Sequence, residues 1–151
     1  QMLAEKFGME YVDKDGQKKN PYIIHRTSIG CYERTLALLI EKYAGAFPTW
    51  LSPVQVKFLP VADRHQDYCR EVMSKLQAAG VRCELDDRSE KTGFKIRSAQ
   101  MEKVPYMIIV GDKDIEANTI SVRSSKNGDE GATSVDEFLS RIVTEIATKA
   151  R

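Results

Sequence analysis

The segment that most constrains the fold is Tyr106–Val110, in which tyrosine is followed by four fully apolar residues. A strand with one face in water alternates polar and apolar side chains, so a continuous apolar run of this length indicates a strand that is buried on both faces. Such strands occur in parallel sheets whose connecting helices cover both sides. The run therefore predicts an α/β fold with a mainly parallel sheet.

The segments on either side of this strand alternate between strand and helix periodicities. Three further segments have strand patterns, namely 54–60, 81–85 and 119–124. Helix patterns begin at Asp63, at Gly93 and at the capping box Ser134–Glu137. The order β-α-β-α-β-β-α predicts a mixed sheet flanked by three helices and closed by one antiparallel strand.

The first fifty residues have a different pattern. Met9–Val12 and Tyr22–Arg26 are strand candidates on either side of the turn Asp13–Gly16, which predicts a hairpin. A helix is predicted from about Tyr32, with Gly45 as its stop signal. A hairpin and one helix leave too much apolar surface uncovered, so this region is interpreted as the edge of a larger domain.

The two regions meet at Phe47–Pro53, whose two prolines exclude a regular element and predict a linker anchored by Trp50. Roughly 100 residues that follow Pro53 are enough to bury a core of their own. We therefore expect a remnant domain at 1–50 and an independent domain at 51–151.

The near-neutral charge of the chain limits how it could bind nucleic acid. The 151 residues carry a net charge of only +1, so a nucleic-acid partner would have to be held by a local patch rather than by overall charge. One such patch is available, because the stretch from Arg88 to Lys103 holds five basic residues against two acidic ones. The acidic residues are Glu90 and Glu102.

The cysteines and the hydropathy pattern indicate a cytoplasmic protein. Cys31, Cys69 and Cys83 are odd in number, lack CxxC spacing and follow no signal peptide, which favours reduced thiols. No apolar stretch is long enough to span a bilayer, so membrane insertion is not expected.

Two N-terminal features could carry chemistry. Glu33-Arg34 opens the predicted helix, and it reads either as an ordinary solvated ion pair or as a guanidinium placed for an anionic or stacked ligand. His25 ends an apolar strand with no second ligand nearby, so a structural role is favoured and a metal held entirely by this chain is not expected. No nucleophile motif and no glycine-rich phosphate loop is present.

The run Asp86–Asp114 is the stronger candidate. It could be a solvated loop and helix face, or a nucleic-acid surface in which Arg and Lys contact phosphates while Ser89, Asp114 and Arg123 bond to base edges. Ligands of parallel sheets gather at the carboxyl ends of strands. Segments 86–88 and 111–114 each follow a strand, so we expect them to meet at that edge.

At these residues the chain resembles the threonyl-tRNA synthetase family over nearly its whole length. The matching segments, in order, are Pro21–Arg26, Ile29–Arg34, Gly45–Val56, Asp86–Asp114 and Ser121–Arg123. Histidyl-, prolyl- and glycyl-tRNA synthetases share the fold and the Glu-Arg motif, but the 45–56 junction and the Gly111–Asp114 turn are more similar to the threonyl enzyme. The resemblance implies an anticodon-binding domain with a mixed, mainly parallel sheet of about five strands and three helices.

The resemblance also implies a role for individual residues. Glu33 and Arg34 fall on motif 3, whose arginine stacks on the adenine of ATP, and His25 falls on one of three ligands of a zinc ion that recognises threonine. Anticodon contacts fall on six residues: Ser89, Glu90, Lys91, Arg97, Asp114 and Arg123. ATP, Mg²⁺ and Zn²⁺ belong to the full-length enzyme, implied to be a homodimer that binds tRNA(Thr), and this chain alone is expected to hold none of them.

Two positions depart from the family pattern, and two other functions remain open. Ser89 stands where the family often has Asn, and Asp114 where it often has Glu, so both side chains are shorter than usual. A non-catalytic paralogue could use the same fold as an RNA-binding regulator or processivity factor. A small flavodoxin-like ligand-binding domain is the third reading.

Overall fold

The computed structural model describes residues 2–150. The chain divides into two compact units, Gln1–Ala37 and Leu38–Arg151, and the division falls inside one helix. The assignment of 1–50 and 51–151 to separate domains stays a prediction.

The N-terminal unit contains a short helix and a small hairpin. Helix α1 spans Met2–Lys6, and strands β1 (Tyr11–Val12) and β2 (Lys18–Lys19) pair antiparallel. The hairpin is confirmed, but the expectation that Tyr22–Arg26 is its second strand is wrong, because those residues have no regular structure. The returning strand pairs immediately after the turn and ends before Pro21, which has no N–H to extend a ladder. Helix α2 follows at Tyr32–Tyr43, as the sequence predicts.

The larger unit is built on a five-stranded mixed sheet. Its strands are β3 (Val56–Pro60), β4 (Cys83–Leu85), β5 (Tyr106–Val110), β6 (Thr119–Ser124) and β7 (Gly128–Ser134). They lie in the order β4-β3-β5-β6-β7, with β4, β3 and β5 parallel and with β6 and β7 antiparallel to their neighbours. The helices are α3 (Gln66–Ala78), α4 (Thr92–Met101), α5 (Asp112–Ala117) and α6 (Val135–Thr148).

The predicted fold class is confirmed, with two additions. Strand β7 has no apolar pattern in its sequence because it is an edge strand with little to bury, and its pairing with β6 is irregular near Val122 and Arg123. The segment from Gly111 was expected to be a turn, but from Asp112 it is helix α5, whose six residues are too short to show a period.

Two apolar layers hold the sheet between its helices. On one face, α3 and α6 pack against side chains that include Phe58 and Ile108, with Phe138 contributed by the first turn of α6. On the other face, α4 contributes Ala99 to a smaller cluster with Met107. Complete burial of a side chain such as Phe138 stabilises the fold by about 1.5–3 kcal/mol. Tyr106–Val110 is therefore covered from both sides, as the apolar run indicates.

The segment that joins α2 to β3 is fixed to this unit and is not a loose linker. Arg82 donates hydrogen bonds to the backbone carbonyl oxygens of Trp50, Ser52 and Pro53, at 2.6–3.1 Å. The Thr49 hydroxyl donates to a carboxylate oxygen of Glu145 in α6 at 2.7 Å. Both contacts hold the segment against the larger unit.

Candidate nucleic-acid interface

The carboxyl ends of the three parallel strands form the edge at which the candidate residues gather. Asp86 directly follows β4, and Gly111 follows β5. Ser89, Glu90 and Lys91 are exposed and line a cavity of about 380 Å³ together with residues 61–63, which follow β3. The loops that follow β4 and β3 therefore meet at this cavity. Segment 111–114 follows β5 on the other side of β3, so its expected meeting with 86–88 stays a prediction.

Arg88 is exposed, but its guanidinium is paired with a buried carboxylate. Its Nε and Nη2 donate to the two carboxylate oxygens of Asp86, at 2.8 and 2.5 Å, and the Asp86 side chain is only 1% exposed. The same guanidinium lies 5.7 Å from the ring centre of Phe94. The hydrogen bond from Arg88 holds the pKa of Asp86 below its usual range, in spite of the burial that opposes it.

Two further basic residues of the run are also used internally. The ammonium group of Lys95 is buried and donates to the carbonyl oxygens of Pro60 and Asp86, both at 3.2 Å. Lys103 donates to the carbonyl oxygen of Ala44. The basic excess of the sequence is therefore largely consumed in holding the domain together.

Lys91 and Arg97 are the basic residues of this run that stay available. Both are exposed, and within residues 2–150 neither side chain makes a hydrogen bond or an ion pair. Lys91 ends the loop after β4, and Arg97 lies in the middle of α4. These two residues can contact phosphates without breaking a hydrogen bond or ion pair within the protein.

Asp114 and Arg123 lie around β6 on the side of the sheet that α4 covers. Asp114 is nearly buried in α5, where its carboxylate accepts hydrogen bonds from the Gly111 N–H at 2.9 Å and from the Ser121 hydroxyl at 2.7 Å. Arg123 lies two residues along β6 from Ser121, so both side chains point to the same face. The Nε of Arg123 is buried and, in the described part of the chain, has no hydrogen-bond partner. Arg123 lines a cavity of about 310 Å³ together with Gln100.

A cluster of polar and charged side chains joins the segments that follow β3 and β5. The sequence alone does not suggest it. His65 is 1% exposed; its Nδ1 accepts from the Ala62 N–H at 3.1 Å, and its Nε2 lies 2.9 Å from Asp112. Arg64 donates two hydrogen bonds to Asp112, which lowers the pKa of that carboxyl well below its usual range, with His65 adding to the effect. Only the topology signals this cluster, because residues 47 and 48 positions apart meet where adjacent parallel strands end.

The N-terminal candidates are exposed residues of the smaller unit. His25 lies in the irregular segment after β2, and Glu33 and Arg34 begin α2. The Cys31 thiol contacts a carboxylate oxygen of Glu33 at 2.7 Å and lowers the pKa of that group. Among the residues that the structure describes, no three His, Cys, Asp or Glu side chains are grouped for a metal ion. The ATP and zinc roles of these residues stay predictions.

The six anticodon candidates thus fall in two neighbouring places, the 89–91 loop with Arg97 on α4, and the pair Asp114 and Arg123 beside β6.

Comparison with known proteins assigns this chain to a family. The sequence profile described as "Anticodon binding domain" matches residues 55–145.

The chain belongs to the anticodon-binding domain family.

Individual relatives agree with this assignment. The chain is 62% identical over 149 residues to the threonine–tRNA ligase of Clostridium botulinum (strain Eklund 17B / Type B), which covers 99% of this chain and 23% of that protein. It is 60% identical over 147 residues to the threonine–tRNA ligase of Clostridium perfringens (strain SM101 / Type A), with 97% and 23% covered. The chain spans about a quarter of the length of these curated relatives.

A solved structure supports the same conclusion. The RNA-binding domain of threonyl-tRNA synthetase from Cryptosporidium parvum Iowa II superposes with a TM-score of 0.71 at 26% identity, over 94% of this chain and 36% of that one. The resemblance to threonyl-tRNA synthetases is confirmed, as is the α/β fold of the anticodon-binding domain. In residues 2–150 no helix has the length and apolar character needed to cross a membrane.

Proposed function

We propose that this chain is part of a threonyl-tRNA synthetase and that its larger unit recognises the anticodon loop of tRNA(Thr). The observation that supports this most is the division of the basic residues at the strand-end edge. Arg88 and Lys95 fix the loop from inside, whereas Lys91 and Arg97 stay exposed and uncommitted beside the polar residues Ser89 and Glu90. Sequence-specific RNA binding needs this combination of charges for phosphates and polar groups for base edges.

The whole enzyme would activate threonine with ATP and transfer it to the tRNA. Arg34, with Glu33 beside it in the sequence, would help to bind ATP by stacking on the adenine, and His25 would supply one zinc ligand. Mg²⁺ would be held by the full-length enzyme. A lone histidine is too few ligands for zinc, which takes three or four protein side chains, so the others would come from the rest of the enzyme. We expect no ATP–pyrophosphate exchange from this chain alone. A cytoplasmic homodimer is part of the same proposal.

The exposed apolar side chains of the smaller unit fit a role inside a longer protein. Leu3, Phe7, Val12, Ile24 and Ile29 are 48%, 71%, 66%, 88% and 55% exposed. Apolar exposure on this scale is typical of a surface that another part of the protein covers. The curated relatives are about four times as long as this chain, which leaves ample sequence to cover it.

Binding to an anticodon stem-loop tests the proposal. Fluorescence anisotropy would compare the tRNA(Thr) stem-loop with one altered at the central anticodon base. We expect the altered base to weaken binding by about 1–3 kcal/mol. Equal affinity for the two RNAs would leave only phosphate binding and would contradict anticodon recognition. A non-catalytic RNA-binding regulator is distinguished by the sequence upstream, which in a synthetase must supply the remaining zinc ligands.

A further inference from the structure

We propose that Lys95 is a positioning residue for RNA recognition, because its side chain fastens the start of the loop that carries Ser89, Glu90 and Lys91 to the neighbouring strand. The inference rests on the proposed function for its consequence in RNA binding. The loop fixation itself can be measured without RNA.

The loop Asp86–Lys91 is attached to Lys95 at its first and last residues. The ammonium group of Lys95 donates to the carbonyl oxygen of Asp86 at 3.2 Å, and the backbone N–H of Lys95 donates to the carbonyl oxygen of Lys91 at 3.1 Å. The second contact is a backbone hydrogen bond of the first turn of α4, which any residue at this position would make. The Lys95 side chain therefore holds the first end of the loop, and the start of α4 holds the last.

The same ammonium group connects this loop to the neighbouring strand. It also donates to the carbonyl oxygen of Pro60, the last residue of β3, at 3.2 Å. Since Asp86 directly follows β4, the Lys95 side chain joins the carboxyl ends of two parallel strands. Residues 61–63, which follow Pro60, form the opposite wall of the cavity that Ser89 to Lys91 line.

The burial of Lys95 is costly, which makes a purely structural explanation weak. The residue is 4% exposed, and its hydrogen-bond acceptors are neutral carbonyl groups. The nearby Asp86 carboxylate attracts it electrostatically but is not hydrogen-bonded to it. Burying a charge without a hydrogen-bonded counter-ion is unfavourable, and an apolar side chain of similar length is often as good or better for stability. A lysine at this position is explained by what its two carbonyl contacts do for the loop.

Arg88 secures the interior of the same loop. It bonds to the buried Asp86 carboxylate through its guanidinium at 2.8 and 2.5 Å, and its carbonyl oxygen accepts from the Glu90 N–H at 2.8 Å. With both ends and the interior held, the exposed side chains of Ser89 to Lys91 start from defined positions. Recognition of a base edge depends on such preorganisation, since polar contacts lose most of their selectivity when the supporting residues shift.

The chain offers a matched control in Lys57, a second lysine that is 4% exposed and that bonds to Glu102, the residue directly after α4. Its ammonium group lies 2.5 Å from Glu102 and 3.4 Å from Glu84. Lys57 is the second residue of β3 and makes no contact with the 86–91 loop among the interactions of residues 2–150. Lys57→Met therefore removes a buried lysine from the same side of the sheet and leaves the loop attachments intact.

The test compares wild type, Lys95→Met and Lys57→Met in two measurements. The first is amide hydrogen exchange of the free proteins, in which we expect residues 88–91 to exchange about tenfold faster in Lys95→Met only, because opening of the loop becomes easier. The second is binding to the matched and the central-base-altered stem-loops over a range of salt concentrations. Here Lys95→Met should discriminate between the two stem-loops about fivefold less well than wild type, or worse. The salt slope, which is the change in log affinity with log salt concentration, should stay unchanged.

Each outcome has a defined meaning. Unchanged exchange at 88–91 in Lys95→Met, or equal acceleration in Lys57→Met, overturns the inference. A salt slope that falls by about one shows a direct phosphate contact instead of a positioning role. If wild type itself does not discriminate, the proposed function fails while the exchange data still decide the loop fixation. If Lys95→Met does not fold, Arg88→Met releases the loop interior without removing a buried lysine, and it must then show the same exchange and discrimination changes.

Discussion

The guanidinium group of Arg88 is bound by the buried carboxylate of Asp86 through two hydrogen bonds of 2.8 and 2.5 Å. This pair changes the meaning of the basic run in the sequence. A positive charge that is committed to a buried partner contributes little to phosphate binding, whereas exposed Lys91 and Arg97 can contribute fully. The electrostatic surface of the domain is therefore smaller and more specific than the composition of the run indicates.

Substitution of Lys91, Arg97 and Arg88 should separate surface charges from structural ones. Lys91→Met and Arg97→Met should each weaken RNA binding and lower the salt slope by about one, because each loses one phosphate contact. Arg88→Met should leave the slope unchanged and reduce the free energy of unfolding, because the buried carboxylate of Asp86 loses its partner. Titrations at several salt concentrations, together with urea unfolding, measure both quantities. An equal drop in the salt slope for all three variants would contradict the distinction between the surface charges of Lys91 and Arg97 and the structural charge of Arg88.

The Asp86–Arg88 pair should also make stability depend on pH at the acidic end. The pKa of Asp86 is lowered in the folded protein, so the folded state binds this proton more weakly than the unfolded state does. The stabilisation is complete above the ordinary carboxyl pKa of about 4 and is lost as the pH falls through the lower folded value. Urea unfolding from pH 7 to pH 3 should show wild type and Asp86→Asn converging in stability toward low pH. A constant difference over that range would disprove the linkage.

Thiol reactivity should distinguish the three cysteines. Burial raises the pKa of the Cys69 thiol to about 12 and that of the Cys83 thiol to about 12, whereas Cys31 is exposed. Because the thiolate is the reactive form, iodoacetamide at pH 8 should modify Cys31 first and the other two only on unfolding. Mass spectrometry of the digested protein locates the modification. Fast labelling of Cys69 in the native protein would contradict its burial.

Arg82 should stabilise the junction before β3. Its guanidinium bonds to three carbonyl groups of the segment Trp50–Pro53, so Arg82→Met should reduce the free energy of unfolding by about 1–3 kcal/mol. Arg70→Met is a matched control on the exposed side of α3, where the lost ion pair is worth less than about 1 kcal/mol. The fluorescence of Trp50, the only tryptophan, reports on both the transition and the environment of the junction. Equal effects of the two variants would mean that the junction is loosely attached.

The sequence predicts most of the sheet because burial leaves a clear pattern. Tyr106–Val110 and the helix that begins at Ser134 are both recognisable, and Ser134 accepts a hydrogen bond from the Glu137 N–H as a cap should. Strand β7 escapes prediction because Gly128–Ser134 is held by backbone pairing with β6 and buries few side chains.

The site is less predictable than the fold because its parts interact over long sequence distances. Charge counting identifies the 88–103 stretch, but it cannot show that Arg88 pairs with the buried carboxylate of Asp86 or that Lys95 bonds to the carbonyl of Pro60, 35 residues away. The contact of His65 with Asp112 is equally invisible, because it depends on β3 and β5 lying side by side. The resemblance to the synthetases names six candidate contact residues and leaves the supports Asp86 and Lys95 unassigned.

The central claim is that the chain reads an anticodon through the edge formed by Ser89 to Lys91, Arg97 and Arg123. The most direct test is NMR chemical-shift mapping during titration with the tRNA(Thr) anticodon stem-loop. We predict that the largest shift changes fall on residues 89–91, 97 and 123, and that exposed residues of α3 such as Arg70 and Lys75 stay unchanged. Shift changes centred on α3, with the 89–91 loop unaffected, would contradict the account.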